Sequence, residues 1–158
     1  MARVRRSVSI PVVLSLTVLM TACGPLGPFA GGRLRGDVHS GPSPNWAFTQ
    51  DIETIQLETN PEDPHSVNTW CGDYQGALYV PTSLILGTDE PSEREWVKNA
   101  LADPRVRLRI DGVIHELRAV RVEDPQELEG AKARLMAKYD EEVTDHSNEA
   151  WIFRMEAR

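Results

Sequence analysis

The sequence predicts a small, mainly β domain of the α+β class, built on an antiparallel sheet with two helices. Three observations predict it. Arg105–Val122 reads as an unbroken hairpin, with Arg-Val-Arg-Leu-Arg-Ile alternating up to Asp111-Gly112, a strong two-residue turn signal. Short alternating runs recur at 52–59, 67–71, 77–80 and 151–155. Helical spacing is confined to Ser92–Ala102 and to the stretch that follows Asp124.

The start of the chain lies outside that domain. Arg3, Arg5 and Arg6 precede an apolar run from Val8 to Met20, and Leu19-Met20-Thr21-Ala22-Cys23 follows before Gly24-Pro25 breaks it. A basic head, a short apolar run and small residues at a cleavage site describe a secretory signal peptide, residues 1–22. The apolar run is shorter than the ~20 residues of a membrane-spanning helix. The five-residue segment resembles a lipobox, which implies a diacylglycerol on the Cys23 thiol and a mature chain of 136 residues that begins there. The expectation is a bacterial lipoprotein of the cell envelope, held to the membrane by lipid on Cys23 and not spanning it. With two membranes in the source, Gly24 after the cysteine favours the outer one, facing the periplasm.

Removing residues 1–22 takes away three arginines and no acid, so the formal net charge moves from −7 to −10. That balance excludes nucleic acid as a partner, since phosphate affinity comes from Lys and Arg. With Cys23 lipidated, Cys71 is alone. A buried structural thiol is expected, with a reactive thiol as the alternative. No cysteine–histidine spacing suits a metal.

Residues 23–44, rich in Gly, Pro and Ser, read as a flexible lipid-anchored tether, with Arg33–Gly36 open to a short strand. The packed domain, residues 45–158, begins near Trp46 and Phe48. Ile52–Thr59 puts Ile55 and Leu57 on one face, and Asn60–Pro64 forms a loop. Val67–Cys71 and Ala77–Val80 are two strands around a turn at Asp73–Gly76. Ser92 with Glu95 forms a capping box for the first helix, which Asp103-Pro104 ends. The hairpin register places Ile110 opposite Val113, Leu108 opposite His115, Val106 opposite Leu117, and Arg107 opposite Glu116. His115 falls on the inward parity and reads as a core histidine before a proton donor. Asp124, Pro125 and Glu127 start the second helix, whose apolar stripe is Leu128, Ala131, Leu135 and Tyr139. Asp140–Asn148 is an acidic loop, and Trp151, Phe153 and Met155 alternate in a closing strand. A closed or partly closed barrel would shield the strand edges.

Glu95–Gly112, with Trp96, Asn99, Pro104, Val106 and Leu108, resembles a Trp-x-x-Asn-Leu-x-x-x-Pro-x-Val-x-Val segment that ends in a Gly turn. That segment is typical of the split β-barrel family of flavin- and deazaflavin-dependent oxidoreductases and pyridoxamine 5'-phosphate oxidase-like proteins, which this chain resembles from about Trp46 onward. Leu78–Ser83 resembles the strand and loop where that family's backbone approaches the flavin ring, and Lys138-Tyr139 fits a subset of members. The resemblance implies an antiparallel split-β-barrel-like domain of about six strands with two helices. It implies FMN or a deazaflavin as cofactor, near Thr82, Ser83, Trp96 and Lys98, and hydride transfer as the chemistry. It also implies a homodimer paired through the barrel face. Catalytic residues and substrate stay unassigned.

One departure bears on the cofactor. Where deazaflavin binders of the family carry a basic, Gly-containing stretch, this chain reads Glu58–His65, acidic and without Lys or Arg. A phosphate would then fall to Arg94, Lys98 or the arginines of Arg105–Ile110, or the protein binds no cofactor. The alternative function is a non-catalytic envelope lipoprotein that binds a small ligand or a protein partner.

Overall fold

The computed structural model describes residues 24–82, 90–140 and 150–158. Cys23, Ser83 and almost all of the acidic loop after α2 lie outside the described residues. Among those described, eight strands form one mainly antiparallel sheet: β1 Asp37–Val38, β2 Ile55–Thr59, β3 His65–Thr69, β4 Gly72–Tyr74, β5 Ala77–Pro81, β6 Arg105–Ile110, β7 Val113–Arg121 and β8 Ile152–Ala157. Two helices, α1 Glu95–Ala102 and α2 Pro125–Tyr139, complete the fold with 3-10 turns at Trp46–Asp51 and Pro91–Glu93. The two strands beyond the six expected are β1, of two residues, and β4, of three.

The strand order is β3-β2-β6-β7-β8-β5-β4, so the sheet is not closed. β7 shares one edge between two partners: β8 pairs with Leu117–Arg121, and β1 runs parallel to Val113 and Ile114. The β6–β7 register is the one the alternation predicts, including Leu108 opposite His115 and Arg107 opposite Glu116. Asp111 and Gly112 both have positive φ, as the tight turn requires.

Two apolar clusters hold the sheet. The first joins Trp46, Leu57, Trp96, Val97, Leu108 and Phe153. The second lies between α2 and the β5–β8 face, with Tyr79, Leu135, Met136 and Ile152. Asp124 caps α2 by accepting from the Glu127 amide at 2.8 Å, with Pro125 in the first turn. Glu127 turns instead to the Tyr79 hydroxyl, which donates to it at 2.9 Å. The expected Ser92–Glu95 capping box does not form. α1 starts later, at Glu95, with Arg94 as an N-cap that makes no side-chain cap bond, and Ser92 Oγ donates to Glu90 at 2.8 Å. Pro91 bends the preceding residues into a separate 3-10 turn. Trp46 and Phe48 sit on a 3-10 turn, with Trp46 buried and Phe48 exposed.

The Gly/Pro/Ser segment departs most from expectation. From Gly24 to His39 it runs along the sheet instead of hanging free. Gly31 exchanges backbone hydrogen bonds with Ser66 at 2.8 Å in each direction. Leu34 is 1% exposed, and its amide donates to Glu58. His39 N donates to the Ile114 carbonyl at 2.8 Å. Composition signalled flexibility, but burying Leu34 is worth about 2 kcal/mol, and the buried Glu58 carboxylate needs the donors this segment brings. No helix among the described residues is long and apolar enough to cross a membrane.

Candidate functional site

A cleft of about 170 Å³ opens where four pieces of chain meet: the end of β5, the middle of β3, the first turn of α1 and the turn Gly27–Phe29. Its polar groups are Asn68, Thr69, Thr82 and Arg94, and Trp96 forms part of the wall. Thr82 is fixed from behind. Its amide donates to the Trp151 carbonyl at 2.8 Å, and its hydroxyl oxygen accepts from the Trp151 amide at 3.0 Å. Trp96 is buried and meets the Phe153 ring edge-on at 5.2 Å, so most of its indole packs the barrel and only a flank borders the cleft. Asn68 Nδ2 donates to the Gly27 carbonyl at 2.8 Å, which holds the N-terminal turn over the opening.

Arg94 is the charged residue among the described lining of the cleft. It is half-buried, and burial holds its pKa below the ordinary arginine value. A guanidinium that has lost solvent gains from an anionic ligand. The cleft thus has the donors for one anionic or hydrogen-bonding edge of a planar ligand. Ligand sites commonly span ~300–1,000 Å³, so this cleft admits one ring or one acidic group of a flavin-sized molecule and not the whole of it.

Of the residues the sequence singled out, Thr82, Trp96 and Arg94 come together here. Lys98 is exposed, two residues along α1 from Trp96, and does not line the cleft. Ser83 lies outside the described residues. Asn68, Thr69 and the Gly27–Phe29 turn were not singled out. They carry no motif: Asn68 and Thr69 end β3, and the turn reaches the cleft because the N-terminal segment folds back across β3.

The arginines of β6 are engaged elsewhere. Arg105 forks onto Asp103 on the surface, and that contact holds the Asp103 carboxyl down at about 2. Arg107 bonds Glu58 at 3.1 Å, lies 3.7 Å from Glu116 and donates to the Leu34 carbonyl at 3.1 Å. Arg109 bonds Gln56 and the Arg35 carbonyl. Glu58, 2% exposed, also faces Arg33 at 3.5 Å. The β2–β3 turn, Asn60–Pro64, brings no Lys or Arg of its own.

Two other buried polar groups are structural. Cys71 is fully buried, and burial pushes its thiol pKa up, which fits the inert thiol and not the reactive one. Beside it, Lys138 Nζ donates to the carbonyls of Thr49, Ile52 and Cys71 at 2.6–2.8 Å, pinning α2 to the 3-10 turn Trp46–Asp51 and to the link between β3 and β4. His115 is 6% exposed, 5.0 Å from the His39 ring and 5.1 Å from Trp46, and burial followed by His39 lowers its pKa. It is a core histidine, as its strand parity predicts.

Comparison with known proteins adds to this geometry. The family model for F420H(2)-dependent quinone reductase matches residues 75–151. That span holds Thr82, Arg94 and Trp96. Among solved structures, the chain is similar to a conserved hypothetical protein of Mycobacterium tuberculosis, at 22% identity and TM-score 0.56, covering 80% of this chain and 86% of that one. It is also similar to a candidate pyridoxamine 5'-phosphate oxidase of Listeria innocua, at 16% identity and TM-score 0.51, covering 69% and 86%. A candidate 5-nitroimidazole antibiotic resistance protein of Bacteroides thetaiotaomicron is similar at 10% identity and TM-score 0.52, covering 70% and 76%. At these identities the structures establish the fold, a split-barrel-like one. None of the curated proteins matches the sequence.

Proposed function

We propose that this chain is a lipid-anchored, split-barrel oxidoreductase-like protein of the bacterial cell envelope that takes a deazaflavin or flavin at the cleft beside Trp96. The observation that carries the reading is the family match over 75–151, whose residues Thr82, Arg94 and Trp96 the fold gathers at one opening. When bound, the cofactor supplies hydride transfer. The chain's own part is to bind and orient. Arg94 offers a half-buried positive charge to an acidic group, and Asn68 and Thr69 offer hydrogen-bonding groups beside it. Thr82, locked to Trp151, fixes the position of the backbone at the end of β5. The Trp96 flank and the Gly27–Phe29 turn keep water from the inner wall. A homodimer through the barrel face belongs to this reading, and light scattering of the solubilised protein checks it.

The test is a titration of the detergent-extracted full chain with FMN and with a deazaflavin, read by cofactor fluorescence. Binding in the micromolar range is expected, weakened about tenfold, or ~1.4 kcal/mol, by Arg94→Gln. No binding of either cofactor near ~1 mM, a free energy of only ~4 kcal/mol, would overturn it.

One observation favours a second reading, a non-catalytic envelope lipoprotein with a small ligand or protein partner. The turn Asn60–Pro64 is acidic, and Glu58 holds the nearby Arg33 and Arg107. If a phosphate grip has to sit at that turn, this chain lacks it. The same titration separates the two readings.

A further inference from the structure

The first residues after Cys23 fold into a closed turn. Leu26 and Phe29 exchange backbone hydrogen bonds at 3.0 and 3.1 Å. Gly31 packs directly on the backbone of Gly24 and Pro25, so closely that a methyl group there would collide with both. Pro25 is buried, and Asn68 holds Gly27 from the sheet. The turn is therefore seated on β3. Its tip nevertheless carries the two most exposed large apolar side chains among the described residues, Leu26 at 80% and Phe29 at 72%.

A turn fixed by its backbone while it presents Leu and Phe to solvent is built for an apolar partner. The position in the chain says which one. Leu26 is three residues from Cys23, a reach of at most about 11 Å. If Cys23 carries the lipid, these side chains cannot leave the bilayer surface. We infer that the Leu26–Phe29 turn is a membrane-docking element: both side chains enter the lipid interface beside the acylated Cys23 and fix the domain's orientation. The inference rests on the anchoring read from the sequence and not on the cofactor. It replaces a domain swinging on a long tether with one seated on the membrane. Because Gly27, Pro28 and Phe29 also wall the cleft, the cleft opens beside the bilayer.

The test uses the full chain, exported and processed in cells fed labelled fatty acid. A photoreactive phenylalanine analogue replaces Leu26, Phe29 or, as comparison, Glu129. Glu129 is exposed on α2, which packs on β4 and β8, away from the β3 edge. Expected are labelled protein and lipid adducts at positions 26 and 29, with none above background at 129. Labelled protein with no adducts at 26 and 29, or equal adducts at 129, overturns the docking element and leaves the anchor standing. Protein without label overturns the anchor and the docking element together.

Discussion

At the scale of single residues, Glu58 shows how the sheet's outer face is closed. It sits on the strand parity opposite Ile55 and Leu57, where a solvated acid is the ordinary outcome. Instead it is 2% exposed and takes Arg107, Arg33 and the Leu34 amide. Removing one partner of a buried ion pair leaves the other charge desolvated, at a cost of ~3–5 kcal/mol. Glu58→Ala should therefore destabilise the protein by about 3 kcal/mol in urea unfolding, and should free residues 31–39 for proteolysis first. Glu58→Gln, which keeps an acceptor for the Leu34 amide, should cost less. His115 gives a second residue-scale outcome. Its folded pKa lies below the ordinary histidine value of ~6.5 because burial disfavours the charged form. The unfolded chain therefore takes up the proton first as pH falls. The contribution of His115 is fully present above pH ~6.5 and is lost as pH drops through its folded pKa. Thermal unfolding from pH 8 to 5 should show a steeper loss below ~6.5 in the wild type than in His115→Phe. Equal slopes would mean that the imidazole stays solvated.

At the scale of elements, local sequence carried the hairpin and the second helix well. Alternation and the Asp111-Gly112 turn set the β6–β7 register to the residue, because a one-residue slip would turn Leu108 outward. Asp124-Pro125 marked the start of α2. The same logic failed at Ser92, since Pro91 diverts the chain into a 3-10 turn that ends before α1 begins. The two caps make a paired prediction. Asp124→Ala removes an acceptor of a helix amide and should cost ~1 kcal/mol. Ser92→Ala should stay within ~0.5 kcal/mol, since its hydroxyl bonds only a neighbouring side chain. Equal losses in denaturant unfolding would mean that the capping box forms after all. The cleft was legible only in part. Thr82 and Trp96 stood in recognisable segments, whereas the Gly27–Phe29 turn and Asn68 meet 41 residues apart in sequence. No periodicity records such a contact. Composition pointed the wrong way as well: glycine and proline, read as looseness, here allow a backbone-on-backbone approach that other residues would block.

At the scale of the whole molecule, charge decides what can hold the protein to a membrane. Without residues 1–22 the chain carries a formal −10, and anionic lipid repels such a surface. The docking turn offers two side chains. Even a single myristoyl chain binds only marginally, near ~10⁴ M⁻¹, so Leu26 and Phe29 orient the domain but cannot retain it alone. On the proposed anchoring, retention falls to a lipid on Cys23. Purified residues 24–158 should therefore stay in solution with vesicles of neutral or anionic lipid. Raising the salt should change nothing, because a chain of formal −10 gains no attraction to anionic lipid that salt could screen. Flotation of the vesicles reads the outcome directly. Protein that floats with anionic vesicles and comes off in salt would reveal an electrostatic anchor, and Cys23 would then not be what holds the chain at the membrane.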